Sequence, residues 1–169
     1  MTAPFAFILI PLILSNVMHM WWVKKDLWPG LAIPVWPRLF GENKTWRGFV
    51  VLPLLNGLFS ALFALLVPVF PPMMGFPTGF ILGLAYMASE LPNSLIKRRA
   101  GIPPGRSASS NAWIFTLMDK TDSSLGVSLA SHFIFHLSPG QTVLLFLVAV
   151  FCHVFFSWLL VLVRLKRHF

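Results

Sequence analysis

The sequence predicts an all-α, polytopic integral membrane protein of about five transmembrane helices with two functional cytoplasmic loops. Three observations predict it. Of the 169 residues, 57% are hydrophobic and only 11% are charged, far more apolar than an ordinary soluble domain. Apolar runs of the roughly 18 residues needed to cross the hydrocarbon core recur along the chain. Nearly all the charges sit in short segments between those runs or at their ends.

The first run, 4–22, follows Met1, Thr2 and Ala3 with no basic stretch and no small-residue cleavage pattern, so a retained span is expected rather than a cleaved signal peptide. Further spans are expected at 48–69, 76–95, 113–135 and 141–163. Five crossings put the two ends on opposite sides. The loop 24–47 carries Lys24, Lys25, Arg38, Lys44 and Arg47, and the loop 97–112 carries Lys97, Arg98, Arg99 and Arg106. The tail adds Arg164, Lys166 and Arg167. All three basic segments fall on one side, and the opposite connections, 67–75 and 136–140, hold no Lys or Arg. Positive-inside bias then sets the N-terminus outside and the C-terminus in the cytoplasm, in an inner or cytoplasmic membrane. Trp21, Trp22, Trp46 and Trp113 fall where helices meet the cytoplasmic interface, as an aromatic belt does, and Trp158 is a further candidate.

So many residues in spans leave no room for a separate soluble domain, and 1–169 is expected to be a single transmembrane domain. The net charge of +8 would suit nucleic acid in a soluble protein, but its placement beside the spans assigns it to the membrane. No nucleic-acid partner is expected. The one cysteine, Cys152, has no partner for an intrachain disulfide. Pro53 with Asn56, and Pro92 with Asn93, free or kink backbone inside their spans, so those helices are expected to line a polar interior.

Asp119, Lys120, Thr121 and Asp122 are the least ordinary feature, because carboxylates within a span are costly. Two acids at i and i+3 share one helix face. Such a face holds a hard divalent cation through its oxygens while substrate phosphates and water complete the shell, or else forms a buried ion-pair network with Lys120 or a loop arginine. Glu90 is a further metal ligand, the partner of a basic residue or an interfacial acid, and of these the partner is expected. Ser94, Lys97, Arg98 and Arg99 precede the stiff turn Gly101, Ile102, Pro103, Pro104, Gly105, Arg106, and they suit phosphate groups or plain positive-inside topology. In the first loop Asn43, Lys44, Thr45, Arg47 and Gly48 stand where a helix begins, a natural anion site or an anchor for anionic headgroups. His132 and His136 have the i, i+4 spacing of a metal pair but lie far from the acids, so packing roles are expected. His19 and Asn16 are candidates for the polar interior, and His153 for a helix contact.

These blocks resemble the CDP-archaeol synthase family, a branch of the phosphatidate cytidylyltransferases. The likeness rests on Phe40 and Gly41 followed by Asn43, Lys44, Thr45, Trp46, Arg47 and Gly48; on Ser94, Lys97, Arg98 and Arg99 with Gly101 to Gly105; and on Asp119, Lys120, Thr121, Asp122 and Ser123 with Gly126. The resemblance implies CTP-dependent, Mg²⁺-dependent cytidylyl transfer to a membrane lipid phosphate, giving a CDP-activated lipid and pyrophosphate. It implies Asp119 and Asp122 as metal ligands. It also implies Asp119, Asp122, Lys97 and Lys44 as catalytic residues, and Asn43, Lys44, Thr45, Arg47, Ser94, Lys97, Arg98, Arg99 and Gly105 as binding residues for CTP and lipid. A non-catalytic lipid- or nucleotide-binding homologue is the alternative. Five short helices are few to enclose a site, so a homodimer is also expected.

Overall fold

Each apolar run folds as a helix. A computed structural model of the chain describes residues 2–67, 71–104 and 112–163, and these are all-helical apart from loops and one isolated β-bridge. Five long helices appear among them: α1 (Thr2–Lys24), α3 (Trp46–Leu66), α4 (Pro72–Arg99), α5 (Ala112–Phe135) and α6 (Pro139–Leu162), with a short α2 (Pro37–Phe40) in the first loop. Local chemistry sets the start of α6. Ser138 and Gln141 form a reciprocal capping box, with Pro139 at the first helical position, where its missing N–H costs nothing.

Packing is inverted relative to a soluble globule. Leu65, Leu66, Phe133 and Phe151 are each more than two-thirds exposed, whereas Ser15, Asn56, Ser60, Ser128 and Ser131 are buried. Apolar side chains facing outward and small polar ones facing neighbouring helices are the pattern of a bundle whose solvent is lipid. Three helices, over Pro4–Lys24, Trp46–Leu66 and Pro139–Leu162, are long and apolar enough to cross a membrane by length and composition. The sequence led us to expect five. The remaining two, α4 and α5, have 28 and 24 residues and so the length, but they hold Glu90, Lys97, Arg98, Arg99, Asp119, Lys120 and Asp122.

The five long helices close into a ring in the order α1, α3, α4, α5, α6 and back to α1. Contact between α3 and α4 depends on small residues: a Cβ on Gly79 would lie 2.3 Å from Ser60 Oγ and 2.5 Å from the Asn56 carbonyl oxygen. Asn56 fastens the same seam, donating to the Gly79 carbonyl at 2.6 Å and accepting from Ser15 of α1 at 3.3 Å. The expected polar interior at Asn56 is therefore a hydrogen-bonded seam between three helices. An apolar core of Ile8, Leu52, Leu82, Val127 and Leu145 fills the ring around it.

Candidate active site at one end of the bundle

The C-terminal ends of α1 and α4 and the N-terminal ends of α3 and α5 lie together, because consecutive helices alternate in direction. Here α4 runs further than the sequence suggested. Its helix continues past residue 95 to Arg99, so Lys97, Arg98 and Arg99 stand beside Ser94 on its last turns and not in a loop. Cations suit that end, where the helix dipole is negative. The extension puts Glu90, Asn93, Ser94 and Lys97 on one face, at i, i+3, i+4 and i+7.

That face meets the acids of α5. One amide nitrogen, Asn93 Nδ2, donates to Asp119 Oδ1 at 2.7 Å and to Asp122 Oδ2 at 2.8 Å. Lys97 Nζ is paired with both oxygens of Asp119, and Asp122 Oδ1 accepts from the Ser123 backbone N–H at 2.6 Å. Asn93 is buried, Asp119 is exposed and Asp122 lies between. The helices come this close because of Gly126, about two turns along α5 from Asp119: a Cβ there would lie 2.4 Å from Ser89 of α4. Ser94 is turned away from the acids, its hydroxyl donating to the Glu90 carbonyl at 2.9 Å.

The first loop closes over this end. A bridge between Pro34 and Thr45 pins it, with Val35 N–H donating to the Lys44 carbonyl at 2.8 Å and Trp46 N–H to the Ile33 carbonyl at 2.9 Å. So held, Lys44 forms an ion pair with Glu90 of α4. Burial works against the Lys44 cation, but the Glu90 charge and hydrogen bond, with Asp122 and Asp119 beyond, raise it above the ordinary value of 10.5. Arg47, buried at the start of α3, donates to Asp26 Oδ1 at 2.7 Å and to the Leu27 carbonyl at 3.3 Å. Asn43 is exposed, and Thr45 stands at the α3 N-cap without a side-chain cap bond. Gly41 has φ +84°, a conformation favouring glycine, and a Cβ on it would lie 3.0 Å from Pro104 and 3.6 Å from Arg98 Nε.

Lys44, Lys97, Asp119 and Asp122 are thus gathered at one end, with Arg47 and Arg98 beside them. Gly105 and Arg106, and the tail cations Arg164, Lys166 and Arg167, lie outside the described residues. Glu90 is the partner of a cation, as its sequence position suggested. His132 is remote from the acids and hydrogen-bonds through Nδ1 to Thr142 Oγ1 at 2.9 Å, a packing contact. Asn93 is the residue sequence reasoning undervalued. Its signal was the spacing from Glu90 and Lys97, and Lys97 joins that face only because α4 continues past residue 95 to Arg99.

Several buried atoms here have no hydrogen-bond partner: Asn93 Oδ1, Arg47 Nε, and Arg98 Nε and Nη1. Unsatisfied buried polar atoms are costly and rare, and these four carry hydrogen-bonding capacity that the protein itself leaves unused. The donor set also fits a hard divalent cation. Two carboxylates converge on one point beside the orphan oxygen of Asn93, and among the described residues no third His, Cys, Asp or Glu joins them. Mg²⁺ characteristically takes one or two carboxylates and completes its shell with phosphate oxygens and water.

Fold and polar end together define a class: a helical membrane protein with charged side chains gathered at one end of its bundle. Comparison with known families narrows this. A family model described as CarS-like, CDP-archaeol synthase, matches residues 7–168, and the chain belongs to that family. It is 36% identical to the CDP-archaeol synthase of Pyrococcus furiosus over 69 residues, which cover 40% of this chain and 41% of that protein. It is 29% identical to the CDP-archaeol synthase of Thermococcus kodakarensis over 118 residues, covering 69% of this chain and 65% of that protein. The chain therefore spans less than two-thirds of either relative in these matches. No solved structure matches it.

Proposed function

We propose that this protein transfers a cytidylyl group from CTP to a membrane lipid phosphate, releasing pyrophosphate and leaving a CDP-activated lipid. The names of its two relatives support this reading. The observation that carries it is the Asn93-bridged pair Asp119 and Asp122, flanked by Lys97 and by Lys44. All five long helices cross the bilayer as one domain, with the N-terminus out and this charged end in the cytoplasm, where CTP is available.

In the reaction an oxygen of the lipid phosphate attacks the α-phosphorus of CTP. The bond from that phosphorus to the β-phosphate oxygen breaks, and pyrophosphate leaves with the electron pair. A phosphate monoester is already an anionic nucleophile, so little general-base help is needed. The enzyme must instead align two anions and neutralise their charge. Asp119 and Asp122 would hold Mg²⁺, which when bound would supply Lewis-acid stabilisation to the triphosphate. Lys97, paired with Asp119 here, would neutralise a phosphate oxygen of bound nucleotide. The open Nε and Nη1 of Arg98 and the Nε of Arg47 donate to phosphate oxygens, Arg as a planar fork. Asn43, Thr45 and Arg99 line the entrance, and Lys44, held by Glu90, contributes its charge without leaving its place.

The test uses purified protein in detergent with labelled CTP, Mg²⁺ and a panel of phosphatidic acids and ether-lipid phosphates. Labelled CDP-lipid is the expected product, and its absence with every substrate overturns the proposal. Asp119→Asn and Asp122→Asn each abolish turnover while leaving the protein folded; full activity in both removes the metal assignment.

A further inference from the structure

The first half of the loop between α1 and α3 takes no part in the proposed reaction. Residues 26–36 include Trp28, Ile33 and Trp36, and all three are exposed, Ile33 and Trp36 by more than half. Three large apolar side chains exposed in one short segment mark a surface that meets something other than water.

Ties to two spans fix the depth of this segment. With 21 residues α3 is about 30 Å long, the thickness of the hydrocarbon core, which puts Trp46 and Arg47 of its first turn at the core's edge. Arg47 Nη1 donates to Asp26 Oδ1 and to the Leu27 carbonyl, so Asp26 and Leu27 lie at that level. Trp46 N–H donates to the Ile33 carbonyl, which sets Ile33 there too. Between these ties the Trp28 ring packs edge-on against Trp22 in the last turn of α1, with centroids 5.0 Å apart. Val35 N–H donates to the carbonyl of Lys44, just before α3, so Trp36 stands slightly further out. Asp26 and Trp28 also have left-handed backbone, φ 49° and 53°, which residues with a Cβ adopt only where their surroundings enforce it. The segment is therefore held in one shape at the depth where tryptophan is favoured over both water and hydrocarbon. Cations frame it. Lys24 and Lys25 precede it and Arg38 follows Trp36, all exposed, while the acid within it, Asp26, is paired with Arg47. A surface that is apolar at the core's edge and positive beside it complements a leaflet with anionic headgroups. It is continuous with the exposed Trp21 of α1 and Trp46 of α3.

We infer that residues 26–36 are a strap lying in the headgroup layer of an anionic leaflet, with Trp28, Ile33 and Trp36 at the acyl boundary and Lys25 and Arg38 on lipid phosphates. The inference rests on the reading of α1 and α3 as spans with the charged end in the cytoplasm, and not on the chemistry of cytidylyl transfer. Through the pairing of Val35 with Lys44, the strap joins the part of the loop that closes over the acids, so the bilayer surface borders the site.

The test places the fluorophore NBD on the full chain at Ile33→Cys, Trp36→Cys or Glu42→Cys, each combined with Cys152→Ser so that one thiol reacts. Glu42, exposed beyond α2, is the aqueous reference. Vesicles contain phosphatidylcholine alone or with phosphatidylglycerol, which is anionic but has no phosphate monoester to react. With phosphatidylglycerol present, a lipid spin-labelled near its headgroup quenches the labels at positions 33 and 36 several-fold more than the label at 42, and aqueous iodide gives the reverse order. Adding Lys25→Gln and Arg38→Gln, each cation contributing about fivefold to partitioning onto an anionic surface, cuts the lipid quenching there and leaves it unchanged in phosphatidylcholine. Iodide quenching as strong at 33 and 36 as at 42 overturns the inference. Unlabelled wild type gives a second reading: peptides covering 26–36 exchange their amide hydrogens several-fold more slowly with phosphatidylglycerol than without, and equal rates overturn the anionic-leaflet assignment even where a labelled variant fails to fold. A wild-type protein that makes no CDP-lipid, yet whose strap is shielded in this way, overturns cytidylyl transfer and upholds the strap; an active enzyme with iodide-accessible labels does the opposite.

Discussion

Replacing Asn93 with leucine removes a group that hydrogen-bonds to both acids while nearly conserving volume. The change deletes two hydrogen bonds to carboxylates, at 2.7 and 2.8 Å. Bonds to charged groups contribute about 1.5–3 kcal/mol each when shielded. Asp119's side chain is 46% exposed, so water replaces most of what it loses, and the half-buried Asp122 bears the main cost. The expected destabilisation is about 2 kcal/mol. Activity should suffer more than stability, because carboxylates no longer held on a common point are displaced, and a shift of about 1 Å costs roughly a hundredfold in rate. The assay pairs thermal unfolding in detergent with Mg²⁺-dependent turnover. Mg²⁺ should also raise the melting temperature of Asn93→Leu more than that of the wild type, since a cation relieves the repulsion that Asn93 otherwise relieves. A variant with wild-type melting and turnover would refute the role given to the bridge.

Lys44→Met leaves Glu90 without its counter-charge in a site only one-fifth exposed, and should destabilise the protein by about 2 kcal/mol. Since the folded state raises the Lys44 pKa above 10.5, the pair's contribution is fully present below that value and is lost as pH rises through the folded pKa. Melting temperatures of wild type and Lys44→Met should therefore differ by a constant amount from neutral pH to pH 10 and converge only above it. Gly41→Ala forces a side chain into φ +84° and against Pro104, costing about 1–2 kcal/mol, and should raise KM for CTP by moving the loop that holds Lys44. His132→Ala should lower stability by about 1 kcal/mol through loss of the Thr142 bond and leave turnover unchanged; lost turnover would place a functional group far from the acids.

Much of the charged end was legible before any fold. Hydropathy and charge are properties of contiguous stretches, so the helices at 48–69 and 113–135, the one-sided cations and the acid pair Asp119 and Asp122 could be read directly. The i, i+3 spacing placed both acids on one face, and the excess of basic residues made Glu90 the partner of one. Which one was not readable: Lys44 lies 46 residues from Glu90, and their meeting depends on how the bridge at Pro34 and Thr45 folds the first loop. The end of α4 was placed too early for a related reason. The basic run of Lys97, Arg98 and Arg99 terminates the apolar pattern without terminating the helix.

The sequence by itself determined that the chain is helical and that its solvent is lipid, because each follows from local composition and from periodicity along one helix. Tertiary structure alone decided which charges meet. That depends on how closely separate helices approach, which Gly79 and Gly126 permit by lacking a side chain, and no periodicity along a single helix records the identity of its neighbour.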